Sequence, residues 1–338
     1  MMNGILWAVG AGIMLGLYAI PEKYVKDYKY ENTWFLFFFI SLIVLPFITS
    51  FGLINNFSAI LAAIPSHVLM LMIVASFMWG VGVQFWSKAI NYIGVSLGFS
   101  IFIGAVILVG SILPFIVDGL PSDKALTFII VGLLIILVGI FCNGRAGLLR
   151  NAQDVSNSEL TQSVGKTIPG IIIALVGGLF ATGFSFANAV GIQPISEAVV
   201  AQGNPEWMSA IAIMFVIYVS GALYVIPYFI IKLTKNHTWS GFSTRHLGLN
   251  LSMTFIMGFF NYAASAIFAY AAFSLGSAGN TVGYAIYNTV SVLLAVVGGI
   301  VAKEWVTAPS KARAMLYMAL VAMLLGVVLI AVGNSYNA

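Results

Sequence analysis

Residues 77–104, FMWGVGVQFWSKAINYIGVSLGFSIFIG, are almost wholly apolar, yet Gln84, Lys88 and Asn91 stand among them. Their spacing of i, i+4 and i+7 places all three on one stripe of a helix. Comparable stripes recur downstream. One carries Asn280, Tyr284, Tyr287, Asn288 and Ser291; another carries Asn250, Thr254, Asn261 and Ser265, with Tyr262 beside them. Shorter ones hold Ser185 and Asn188, and Ser96, Ser100, Gly104 and Ser111. Uncharged donors and acceptors beside the aromatic faces of Trp79, Trp86, Tyr284 and Tyr287 suit a neutral, polyhydroxylated solute. Its hydroxyls need partners around the ring edge, and the ring itself needs a flat apolar surface. The competing reading is that these groups join helix to helix, with small residues letting backbones approach. The binding candidates are Trp79, Gln84, Asn188, Asn261, Tyr284, Tyr287 and Asn288, with Tyr18, Lys88 and Asn91 as further pathway candidates. For Lys88 the alternative is an amine that snorkels to the membrane surface.

Carboxylates are few. Glu197, in QPISEAVV, and Glu22 are the two expected nearest a cavity. Partial desolvation there would raise the pKa and let a carboxylate take up a proton near neutral pH. Asp27, Glu31, Asp118, Asp123, Asp154, Glu159, Glu206 and Glu304 read as loop or interface residues. His67, His237 and His246 fall at loops or helix ends, which leaves no buried histidine relay. Gly165, Lys166 and Thr167 end like a phosphate-binding loop, but Leu160 occupies the place of its first glycine, which excludes a built-in ATPase. There is no HExxH, and Cys142 is the only cysteine, so metalloprotease chemistry, disulfides and cysteine-based metal sites are excluded. No enzyme activity, metal or cofactor is expected.

The elements that must position these residues follow from composition. The chain has 338 residues, 61% hydrophobic and 7% charged, with a mean hydropathy of +1.05. A soluble domain carries about 25% charged residues, so lipid solvates most of this chain. Apolar runs of the roughly 20 residues a span needs occupy approximately 4–21, 34–54, 67–91, 94–117, 125–142, 168–190, 208–232, 247–272, 278–301 and 314–333. By the rise of a helix, Asn261, Tyr284, Tyr287 and Asn288 fall near mid-membrane and Gln84 nearer one face. The first run lacks a basic leader and a cleavage site and reads as a retained span. Sorted into alternate loops, Lys23, Lys26, Lys29, Lys88, Arg145, Arg150, Lys166, Lys232, Lys235, Arg245, Lys303, Lys311 and Arg313 share one side, with Lys124 alone on the other. That bias makes the basic side cytoplasmic and puts both termini outside. It explains the net charge of +4 better than a nucleic-acid partner does.

The most polar long connection lies halfway, at 151–167, and divides a first five-helix repeat (1–150) from a second (168–338). An odd number of spans per half inverts the second relative to the first. The expected fold class is therefore an all-α integral membrane protein, ten transmembrane helices in two inverted five-helix repeats. Such repeats hold their substrate near the midplane in many transporters. A faint echo agrees, AINYIGVSLG at 89–98 against YAAFSLGSAG at 270–279.

MWGVGVQFW and INYIGVSLG within 78–98, GRAG at 144–147, SFANAVGIQPISEAV at 185–199 and KEW at 303–305 resemble the bacterial L-rhamnose–proton symporters, of the drug/metabolite transporter superfamily. The resemblance runs from Tyr18 through ENTW at 31–34 to KEW. It implies two inverted repeats around a central cavity that opens alternately to each side of the bacterial inner membrane. It also implies uptake of L-rhamnose or a related deoxyhexose with protons, with Glu197 matching the family's acidic residue after the sixth span. Ser196 stands where the family carries a histidine. Three alternatives stay open: an exporter of metabolites or drugs from the same superfamily, a sugar uniporter without proton coupling, and a membrane receptor that moves nothing.

Overall fold

The computed structural model describes residues 2–113, 115–154, 160–276, 279–301 and 305–337. The side chains of Asn91, Ser96 and 151–167 lie outside the described residues, as do residues 155–159 of the expected linker and Lys303 and Glu304 of KEW. Every element among the described residues is helical: α1 (Met2–Leu17), α2 (Tyr30–Phe39), α3 (Leu45–Leu53), α4 (Phe57–Ala63), α5 (Ser66–Ile112), α6 (Phe115–Asp118), α7 (Asp123–Asp154), α8 (Leu160–Ala181), α9 (Gly183–Ala201), α10 (Ser209–Lys235), α11 (Leu247–Leu275), α12 (Gly279–Val301) and α13 (Ser310–Asn334). Nine stretches of the described residues are long and apolar enough to cross a membrane, and a shorter apolar helix occupies Ser100–Ile112. That shorter piece stands where the expected fourth span, 94–117, was placed.

The expected break between the third and fourth spans is not a loop, because helix α5 carries 47 residues. Straight, it would run about 70 Å, more than twice the hydrocarbon thickness. The chain instead doubles back. A Cβ on Gly177 would sit 2.6 Å from Phe85 and 3.4 Å from Phe102, residues a straight helix separates by about 25 Å. Helix α5 therefore has two arms, and α8 lies in the fork between them. The segment joining the arms, YIGVSLGF, has neither proline nor charge to announce a turn.

Helices α2 and α3 join through a π turn, Ile40–Val44, with Pro46 in the first turn of α3. A proline has no N–H to give the carbonyl four residues back, and its ring crowds that carbonyl. Widening the helix just ahead of Pro46 relieves both problems. It also turns Ser41 towards α11, where its hydroxyl donates to Asn261 Oδ1 at 2.8 Å.

Helices α7 and α13 form a tight antiparallel pair. Ala125, Gly132, Gly139 and Ala146 recur every seven residues on one, and Ala312, Ala319, Gly326 and Gly333 on the other. A Cβ on Gly132 would lie 2.9 Å from the Gly326 carbonyl oxygen, and one on Gly139 3.0 Å from that of Ala319. Small residues are what let backbones come this close in lipid.

The pair touches α5 and α12; elsewhere α1 packs on α11 and α12, helices α8 and α9 pack on α5, and α2 packs on α10. Gly12 abuts Val290 and Gly16 abuts Leu294, so α1 runs parallel to α12. One end of the bundle gathers the basic loops. There Lys26 N donates to Asn250 Oδ1 at 3.0 Å, and Asn250 Nδ2 donates back to the Lys26 carbonyl at 2.8 Å. Buried Glu31 accepts from Asn236 at 2.8 Å and Thr238 at 3.1 Å. At the other end a second asparagine clasp repeats the geometry. Asn55 N donates to Asn204 Oδ1 at 2.8 Å, and Asn204 Nδ2 donates to the Asn55 carbonyl at 2.9 Å.

Candidate solute-binding cavity

Between α1, α2, both arms of α5, α9, α10, α11 and α12 lies a cavity of about 350 Å³. Its walls are aromatic: Trp34, Phe37 and Phe38 from α2, Trp79 and Trp86 from the first arm of α5, Phe102 from the second, Phe184 from α9 and Tyr284 and Tyr287 from α12. Packing holds these rings in place. Trp79 lies 5.4 Å from Tyr218 and 5.5 Å from Phe184, centroid to centroid, and Phe268 stacks behind Tyr287 at 5.1 Å.

One polar network interrupts the aromatic lining. Tyr218 OH donates to Ser265 Oγ at 2.6 Å and lies 3.2 Å from both the carbonyl and the Oδ1 of Asn261. Ser265 Oγ is 3.2 Å from Tyr287 OH. Ser41 adds its bond to Asn261 Oδ1 from the π turn. The carboxamide oxygen of Asn261 thus accepts from Ser41, since Tyr218 gives its one proton to Ser265, which leaves the Asn261 Nδ2 for a solute. Higher on α12, Asn288 Nδ2 donates to the Tyr284 carbonyl at 2.9 Å and Ser291 to that of Asn288 at 2.7 Å, which leaves Asn288 Oδ1 as an acceptor. Among the described residues, none that lines the cavity is charged. Hydroxyls, amides and flat rings can hold a neutral solute and give an ion no counter-charge.

The cavity runs from this network towards the basic face, past Tyr18, Ala19, Trp34, Trp86 and Ala295. Glu22 sits at that end, in the 3-10 turn Ile20–Tyr24, and accepts from Trp34 Nε1 at 2.8 Å. The wall residue Trp34 is therefore bonded directly to a carboxylate.

Of the binding candidates read from the sequence, Trp79, Asn261, Tyr284, Tyr287 and Asn288 line this cavity, as does the pathway candidate Tyr18. The others lie elsewhere. Gln84 is buried, but the residues of the first arm of α5 that face the cavity are Trp79, Val83 and Trp86. They also follow an i, i+4, i+7 spacing, so the stripe that meets the solute is the aromatic one beside the polar one. Asn188 is buried against Asn280, with Nδ2 2.5 Å from its Oδ1. Lys88 is exposed, its Nζ 5.6 Å from the Phe85 ring centroid. Glu197 is exposed towards the opposite end of α9, where Gln193 donates to it at 3.1 Å. Tyr218 and Trp34 line the cavity, Ser41 supports its Asn261 from behind, and none of the three was read from sequence. Tyr218 stands off the four-residue spacing of Ser220, Tyr224 and Tyr228 on the same helix, and Ser41 is brought to Asn261 by the π turn.

With the cavity described, comparison with known proteins places the chain. The model of a family described as L-rhamnose-proton symport protein matches residues 1–336. The chain belongs to this family. Its relatives are similar over nearly their full lengths. An L-rhamnose-proton symporter of Citrobacter koseri is 26% identical over 341 residues, 98% of this chain and 97% of that one. One of Escherichia coli is 27% identical over the same extent. One of Cronobacter sakazakii is 26% identical over 344 residues, 99% and 98% of the two chains. Membership in this rhamnose-proton symport family agrees with the multi-pass helical architecture and with a cavity built for an uncharged solute.

Proposed function

We propose that the protein takes up a neutral sugar together with protons, the solute lying among Tyr218, Asn261, Ser265, Tyr284, Tyr287 and Asn288 between the faces of Trp79 and Trp86. The observation that carries this reading is the cavity's chemistry: aromatic walls, an uncharged hydrogen-bond network, and a carboxylate only at one end. The names of the relatives favour L-rhamnose or a close deoxyhexose. The basic face is the cytoplasmic one by the distribution of Lys and Arg, so the cavity as it stands belongs to an inward-facing state in the bacterial inner membrane.

Glu22, at the cytoplasmic end of the cavity, is the group we assign to the proton. A carboxylate accepts from Trp34 with charge assistance; a neutral carboxyl still accepts through its C=O but more weakly, which loosens the indole. The coupling is then between proton and wall. Glu197 is the alternative carrier on family resemblance.

The helix pairings support a ten-span arrangement of two inverted repeats. α1 meets α11 and α12 as α8 meets the two arms of α5, and α2 with α10 and α7 with α13 are pairs such a symmetry maps onto themselves. Rocking one repeat against the other would alternate access. Proteoliposomes loaded with buffer and given radiolabelled L-rhamnose test the whole proposal. Accumulation driven by an inward proton gradient and abolished by a protonophore is expected. Equilibration blind to the gradient would refute coupling, and no uptake of rhamnose or any competing sugar would refute the sugar reading.

A further inference from the structure

A second cavity, about 490 Å³, lies between the second arm of α5, α7 and α8 and shares none of the solute cavity's residues. Small residues open it. A Cβ on Gly104 would meet nothing nearer than Leu137 at 3.7 Å and Ile140 at 3.8 Å. Its outer lip is Phe141, Leu175 and Leu179, which are 67%, 44% and 48% exposed on the membrane-facing surface. The groove thus opens sideways into lipid. Along α7 it runs from Leu137 to Leu148, about 17 Å at helical rise, and its lining is apolar except at one end. That end holds Arg145, exposed and without a salt bridge among the described residues, next to Gly144 at the basic face. Ser100 also lines it there, 6% exposed, with a buried hydroxyl that has no partner among the described residues.

An apolar slot open to the membrane, half a bilayer long, with a free guanidinium and an unpaired hydroxyl at the membrane-surface end, matches one kind of ligand. We infer that the groove holds an acyl chain of an anionic phospholipid from the leaflet at the basic face, its phosphate against Arg145 and a glycerol ester oxygen accepting from Ser100 Oγ. The apolar slot binds the tail by contact, the arginine selects the headgroup, and the hydroxyl gains the partner it lacks. The lipid would brace the second arm of α5, whose other side forms the solute cavity wall through Phe102 and Val106.

The test uses the full chain purified in mild detergent, titrated with palmitoyl-oleoyl phosphatidylglycerol or the phosphatidylcholine of the same tails, and read by native mass spectrometry. The unaltered protein should retain phosphatidylglycerol in preference. Arg145→Gln should cut that retention about fivefold, to the level of phosphatidylcholine, the effect of about one basic side chain at an anionic surface. Gly104→Leu should cut retention of both lipids, and Leu179→Trp at the exposed lip should do the same without altering helix packing. Equal retention of the two lipids by the unaltered chain, or retention untouched in Arg145→Gln and Leu179→Trp, overturns the inference. Displacement of the lipid by millimolar inorganic phosphate alone overturns it too, since a free anion site needs no tail.

Discussion

Asn261 has two roles that a single substitution confounds and a pair separates. Its Oδ1 accepts from Ser41, which leaves its Nδ2 for a solute in the cavity that Asn261 lines. Asn261→Leu keeps the volume and removes both functions. Tyr218 retains Ser265 at 2.6 Å, so the fully buried Ser41 hydroxyl is the group left without its side-chain partner. An orphaned buried polar group costs about 1–3 kcal/mol, to be read as a lower unfolding midpoint in detergent. Loss of one neutral hydrogen bond to the solute costs about 0.5–1.5 kcal/mol, roughly a two- to tenfold rise in half-saturation for uptake. Adding Ser41→Ala removes the orphan. The double variant should therefore regain most of the stability and none of the affinity, as non-additive partners do. Scanning fluorimetry supplies the first quantity and initial rates of radiolabelled uptake the second. If the double variant recovers both, Asn261 is structural only and the solute does not touch it.

Glu22→Gln should abolish gradient-driven accumulation while leaving rhamnose counterflow between equilibrated compartments, whereas Glu197→Gln should retain both. The reverse pattern would move the proton to the far end of α9. Trp79→Ala should raise half-saturation more than Lys88→Ala does, because one face lines the cavity and the other side chain leaves it. Gly326→Leu drives a side chain into Ile136 and the Gly132 carbonyl, 2.5 and 2.7 Å from even a Cβ. Overpacking of about 1–3 kcal/mol should follow, visible as a lower midpoint, while Gly52→Leu, with nothing within 4 Å, should leave the midpoint alone.

Much of this architecture is written in local chemistry. Long apolar runs set the helices, and the described loops beside Lys26 and Lys235 meet at one end, in line with the alternation of charge. The fourth span was harder, since YIGVSLGF reverses the chain with residues that look like helix. The cavity was half legible. The α12 stripe reads directly because its polar residues share a face with aromatic ones, and Asn261 stands out as an amide that lipid cannot solvate. Gln84 and Lys88 lie one position round from Trp79, Val83 and Trp86, the first-arm residues that line this cavity. Tyr218 and Ser41 could not be read, because one has no periodicity and the other depends on how Pro46 deforms the helix before it.

The seven-residue repeat of small side chains on α7 and α13 also bears on how the chain is made. α7 ends at Asp154 and its partner begins at Ser310, so more than 150 residues are synthesised before the notched edge of the first is covered. During that interval lipid alone lies against Gly132 and Gly139. The partner inserts only after the helices between them, with small residues at the matching interval. The pair then closes like a zipper, and a chain truncated before Ser310 would lack that closure.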